Sequence, residues 1–226
     1  MPGRMRQRVV AASVLAAVTM AGCAMPTRNS SATGEPLRDV NAESNGEVHT
    51  DLIRAMLAKQ QYYAALAHIQ DQQRVRPTRE LKLLEAEARR RLGQGAAADK
   101  LYRDLLGTEY DADAEHGIGL IAAGSDLKSA VQHLRSAVQR RPTDALFRND
   151  LGYALMVSGR YREALPELAT AVELDQSNTL GRNNLIMLLL LTHDEARAKQ
   201  VASDSGVSDE QLAGLRRQAQ TLAKPR

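Results

Sequence analysis

A lone cysteine, Cys23, is the only thiol among 226 residues, so neither a disulfide nor a cysteine-built metal site can form within one chain. Tryptophan is absent and phenylalanine occurs once, against six tyrosines. The core must therefore be made of alanine and aliphatic side chains, which suits closely approaching helices. No apolar run is long enough to cross a hydrocarbon core, which needs about 20 residues. Residues 9–22 give fourteen without a charge, and the run LIMLLLLT at 185–192 gives eight, which reads as a buried helix. Excess charge is missing too. The formal +3 comes entirely from Arg4, Arg6 and Arg8; without them Lys+Arg falls from 30 to 27, against 27 Asp+Glu. A nucleic-acid partner, which demands a basic face, is not expected. The densest basic spot, EARRRLG, reads as a solvated helix face.

Catalytic patterns are also lacking. His49, His68, His116, His133 and His193 are scattered, without HExxH spacing, and there is no GxSxG, P-loop or GxGxxG. Glu85 and Glu87 read as solvated or ion-paired carboxylates. No enzymatic activity, catalytic residue, cofactor, metal or small-molecule substrate is expected.

The N-terminus is more informative. Three arginines precede the uncharged run at 9–22, whose length matches the apolar region of an export signal. Met20, Ala21 and Gly22 lead directly into Cys23. This segment resembles a bacterial lipoprotein signal, with methionine where leucine is commoner. The resemblance implies cleavage after residue 22 and acylation of Cys23. The alternative is an ordinary export signal with an incidental cysteine. Ala24 stands where an aspartate commonly retains lipoproteins at the inner membrane, so the implied location is the periplasmic face of the outer membrane. One acyl chain binds a bilayer only marginally, and two or three anchor it firmly.

Residues 23–46 are rich in Ser, Asn, Gly and Pro without apolar period, and are expected to form a flexible linker spanning about 25–30 Å on average. From Glu47 to the end the pattern predicts helices separated by short Gly, Pro or Asp/Asn breaks, giving an all-α domain over 47–226.

Repetition organises that domain. In residues 145–178 Gly152 lies on a first helix, Gly159 ends it, Tyr161 opens a second, and Ala164, Leu168 and Ala171 line one face of the second. The preceding unit carries Gly117, Gly124, Ala130, Leu134, Ala137 and Pro142, with one extra residue in its turn. Ala86, Gly93, Ala98, Tyr102 and Leu105 outline another, and Tyr62, Ala65, Ile69 and Pro77 another. After residue 178 come a further first helix, a shortened second helix and a polar capping helix, with Ser208 as N-cap and Asp209 and Glu210 in its first turn. These units resemble tetratricopeptide repeats. Two positions depart from the pattern: Arg148, beside Phe147, replaces an aromatic, and Gln176 replaces a proline. The resemblance implies a solenoid of about four to five helix-turn-helix repeats, with Gly152, Ala164, Ala171, Ala130 and Ala137 as small residues where helices touch.

Such a stack presents a concave face built from first helices. Leu146, Asn149, Tyr153 and Met156 are expected to point into it, followed by Leu180, Asn183, Met187 and Leu190. Asn149 and Asn183 lie 34 residues apart and are expected at equivalent sites, where an amide can donate to and accept from a peptide backbone. Replacing both by alanine is expected to weaken partner capture without unfolding the chain. The other reading has Asn183 as a cap or a water-facing residue.

A lipid-tethered repeat protein of this length is similar to the TadD-like lipoproteins of the tight-adherence (Flp) pilus machinery. That similarity implies a non-enzymatic assembly factor or pilotin-like scaffold beside a secretin. Two alternatives stay open: a pilotin or scaffold of a type IV pilus or type II secretion machine, and an adaptor recruiting a cell-wall enzyme.

Overall fold

The computed structural model describes residues 40–223; the expected signal, Cys23 and residues 24–39 lie outside them. Every regular element among the described residues is an α-helix. In chain order these are α1 (Val40–Ala58), α2 (Tyr62–Val75), α3 (Arg79–Arg91), α4 (Gly95–Arg103), α5 (Asp111–Ala122) and α6 (Leu127–Arg140), followed by α7 (Ala145–Val157), α8 (Tyr161–Leu174), α9 (Thr179–Leu191), α10 (Glu195–Asp204) and α11 (Asp209–Leu222). None is long and apolar enough to span a membrane.

The helical part begins at Val40, ahead of the expected Glu47. Residues 40–46 hold no proline, so a helix anchored by the buried Ile53 propagates back through Gly46 at a cost of about 1 kcal/mol.

The helices pair as α1–α2, α3–α4, α5–α6, α7–α8 and α9–α10, and the second helix of each pair packs on the first helix of the next. Local chemistry explains the pairing. Four of the five hairpins turn through one residue with positive φ: Gln60, Gly93, Gly159 and His193. After Gly159 two backbone bonds close the helix end, Gly159 N–H to Met156 C=O and Arg160 N–H to Leu155 C=O, and the same pair recurs at His193 and Asp194. Glycine takes this left-handed conformation without the penalty a Cβ brings. The α5–α6 hairpin is the exception: it uses four residues, 123–126, none of positive φ, and Asp126 N–H closes on Ala122 C=O. This is the extra residue expected in that turn. Three first helices begin on side-chain caps, Thr78 for α3, Asp144 for α7 and Asn178 for α9, whereas α5 begins at Tyr110 without one. Ser208 forms a full capping box with Gln211 at the start of α11.

Small residues set the packing. Ala130, Ala137, Ala164 and Ala171 are all buried, as expected. A Cβ on Gly152 would lie 2.6 Å from Leu168 Cγ and 3.2 Å from its backbone nitrogen, so α7 meets α8 at van der Waals contact there. In the preceding hairpin Gly119 has this role, with Leu134 Cγ at 2.8 Å. Gly117, the glycine expected to do so, instead makes room for another hairpin: its absent Cβ would sit 2.3 Å from Cζ of Tyr102 on α4. The α5 register thus differs by two positions from that expectation.

The C-terminal helix departs from simple stacking. α11 packs principally against α9. With α7, α8 and α10 on its other sides, α9 buries every residue from Asn184 to Leu190. Residues 185–190 of the eight-residue run are thus core, with Leu191 half-buried and Thr192 exposed at its end.

Candidate protein-binding face

The candidate site lies on the first helices α5, α7 and α9. Gly119 and Gly152 fix the register, and a 33-residue step then makes His116 the counterpart of Asn149. Both residues do the same job. His116 Nε2 lies 2.7 Å from Asp150 Oδ2, and Asn149 Oδ1 accepts from Asn184 Nδ2 at 2.9 Å. Each residue thus bonds across to the next first helix. Asn149 Nδ2 also donates to Asp150 Oδ1 at 3.0 Å. An ionised carboxylate only accepts, so Asp150 dictates which end of the Asn149 amide faces it, and the other end is left to accept from Asn184. One polar ladder therefore runs His116–Asp150–Asn149–Asn184 through three helices.

The expected partner-binding residues divide into two groups. Leu146, Tyr153 and Leu180 are 50%, 41% and 57% exposed, and Leu146 and Leu180 occupy equivalent positions near the starts of α7 and α9. Asn183 is partly exposed and accepts from Arg182. Asn149, Met156 and Met187 are 1%, 2% and 7% exposed and belong to the interior; Leu190 is buried as well. Met187 and Leu190 are enclosed because α9 is covered by α11, and Asn149 is committed to Asn184 and Asp150. Of the two asparagines expected on the face, only Asn183 is accessible; Asn149 is buried and holds a hydrogen bond that alanine would remove.

A pocket of about 210 Å³ opens beside Tyr153, lined by Leu120 of α5, Leu127 of α6, and Asp150, Tyr153, Ala154 and Val157 of α7. Its walls are apolar apart from the Asp150 carboxylate and the Tyr153 hydroxyl. Nearby, Phe147 is buried between the His116 ring, stacked at 4.3 Å, and the Arg141 guanidinium, 4.3 Å from the ring centre. Phe147 thus supplies the aromatic bulk missing at Arg148, whose own guanidinium bonds Glu167 at 2.6 Å and the Pro142 carbonyl.

Spacing does not single out His116 and Leu120, because Gly117 sets a different register for α5, nor Asp150 and Asn184, whose part depends on side-chain bonds to Asn149. Farther along, burial pushes the Tyr102 phenol upward, reinforced by the neighbouring Glu87 carboxylate, to which its O–H donates at 3.0 Å. Glu87 itself is raised by burial, but Arg90 and Arg91 outweigh this and hold it below the usual carboxylate range. The EARRRLG spot is therefore an ion-paired cluster, with Glu85 on Arg89 and Glu87 on both Arg90 and Arg91. Among the described residues no group of three or more His, Cys, Asp or Glu is placed to hold a metal.

Stacked helix pairs with an exposed apolar strip and a side-chain-sized pocket define a repeat protein of the kind that mediates contacts between proteins. The tetratricopeptide-repeat family model matches residues 120–183. A TPR repeat-containing protein of Pseudomonas aeruginosa, PA4299, is 35% identical over 191 residues, which cover 83% of this chain and 74% of that one. The chain belongs to the tetratricopeptide-repeat family. Among solved structures, Pseudomonas aeruginosa pilF superposes with a TM-score of 0.65 at 15% identity, over 81% of this chain and 89% of that one. TTC0263, a TPR protein of Thermus thermophilus, gives 0.62 at 18% identity, over 78% and 98%. Both share the fold.

Proposed function

We infer that the chain is a lipid-anchored assembly factor of the Flp (tight-adherence) pilus machinery, held on the periplasmic face of the outer membrane, where it binds a segment of a partner such as the secretin. The observation that carries the binding role is the set Leu146, Tyr153 and Leu180, left exposed on helices whose other large apolar residues are buried or half-buried. Exposed apolar side chains grouped on one face mark interaction surfaces. Support for the anchor is the sequence Met-Ala-Gly-Cys at 20–23 after an uncharged run of export-signal length. A tether concentrates the binding face near membrane components and raises apparent affinity without new contacts. In this reading Asn183, at the edge of the strip, is the polar contact that remains available.

The test is capture from detergent-solubilised envelope with the wild type, with Cys23→Ala, and with Leu146→Ser combined with Tyr153→Ser. The expected outcome is capture of a secretin by the wild type, retained face-dependent binding but lost membrane association for Cys23→Ala, and loss of capture for the double variant. Enrichment of cell-wall enzymes without secretin, or capture indifferent to Leu146 and Tyr153, contradicts the assignment.

A further inference from the structure

The pocket beside Tyr153 is smaller than the roughly 300–1,000 Å³ of small-molecule sites, and its volume of about 210 Å³ suits one large side chain. Its chemistry is uneven. Leu120, Leu127, Ala154 and Val157 make an apolar sleeve, Tyr153 stands at the exposed rim, and Asp150 is the only charged group in the lining. Each Asp150 oxygen has one partner, Oδ1 from Asn149 and Oδ2 from His116, so each keeps a lone pair for a further donor. The ladder fixes the carboxylate in place, which lowers the entropic cost of engaging it.

The same molecule shows what fills such a setting. Arg141 lies over the Phe147 ring at 4.3 Å, with its guanidinium bonded to Asp113 and a second carboxylate, Asp144, at 3.7 Å. A planar cation on an aromatic face, beside a fixed carboxylate, is a pairing suited to arginine and not to the compact ammonium of lysine. Farther along α7, Tyr153 and Asp150 offer both elements, with Tyr153 41% exposed.

We propose that this pocket is an arginine-reading subsite: it takes an arginine from an extended partner segment, the aliphatic stem along Leu120, Leu127 and Val157, the guanidinium on Asp150 and against the Tyr153 ring. The inference rests on the reading of this face as a protein-binding surface, and it names the chemistry of the segment.

The test uses the full chain in detergent micelles and three fluorescein-labelled nonapeptides of alanine and leucine that differ only in a central arginine, citrulline or leucine. Citrulline keeps the shape and removes the charge. Fluorescence anisotropy is expected to show the arginine peptide binding at least tenfold tighter than the other two. Asp150→Asn should bring arginine down to the citrulline level, and Tyr153→Ala should weaken the arginine peptide severalfold. Asp150 also holds the ladder, so melting by circular dichroism accompanies the Asn variant; Tyr153→Ala lies outside the ladder and decides the matter if the Asn variant unfolds. Equal binding of the arginine and citrulline peptides to the wild type overturns the proposal. If that equal binding is still lost in Tyr153→Ala, the face binds peptide and only the arginine reading falls. If no peptide binds and envelope capture is also indifferent to Tyr153, both readings fall.

Discussion

Asp150 and Asn149 show how much one side chain can settle. With the carboxylate accepting from two donors, the Asn149 amide has one orientation, and α7 is tied to α5 on one side and α9 on the other. Asn149→Ala leaves the Asn184 amide and one Asp150 oxygen without their partner and is expected to cost about 1–3 kcal/mol in urea unfolding. Gly117 works by absence. Alanine there drives a methyl into the Tyr102 ring, and an overpacking cost of about 1–3 kcal/mol should appear as a lowered Tm. Tyr102→Leu should recover part of it. Glu87 carries a pH signature. Its folded pKa is depressed, so its stabilisation is present above the ordinary value of 4.5 and is lost as pH falls through the folded value. Urea midpoints measured from pH 6 down to pH 3 should fall less steeply for Glu87→Gln than for the wild type.

At the scale of helices, the turns decide the architecture. Gln60 and His193 sit where Gly93 and Gly159 sit in the other hairpins, at φ of 60°, and a Cβ there is strained. His193→Gly is therefore expected to stabilise the chain by about 1 kcal/mol, read as a higher urea midpoint at unchanged slope. A loss of stability would mean that the imidazole has a packing role outweighing the strain. These helices were legible in the sequence because glycine, alanine and N-cap residues report local geometry: Gly93, Gly159, Asn178 and Ser208 each mark a boundary the structure keeps. The α5 register was not legible, since a chain with glycines at 117 and 119 offers two alignments and only contact with Leu134 and Tyr102 separates them. The position of α11 was hidden too. Its cap could be read from Ser208 and Gln211, but packing on α9 depends on where the apolar face of α9 points after the whole stack is assembled. That is why Met187 and Leu190, expected on an open face, are interior, while Leu180 stays exposed.

For the whole molecule, the proposed function rests on two parts: a segment around Cys23 that resembles a lipid attachment signal, and a repeat domain whose helices α7 and α9 leave Leu146, Tyr153 and Leu180 exposed. Leu174 on α8 is also exposed, at 43%, but belongs to a second helix and gives an internal control. The most direct measurement of the central claim is photo-crosslinking in intact cells, with a photoreactive amino acid placed at position 153 or at position 174. The account predicts a discrete adduct with an envelope protein from position 153, lost when Leu146 and Leu180 are also changed to serine, and none from position 174. Adducts of equal yield from both positions, or none from position 153, would contradict it.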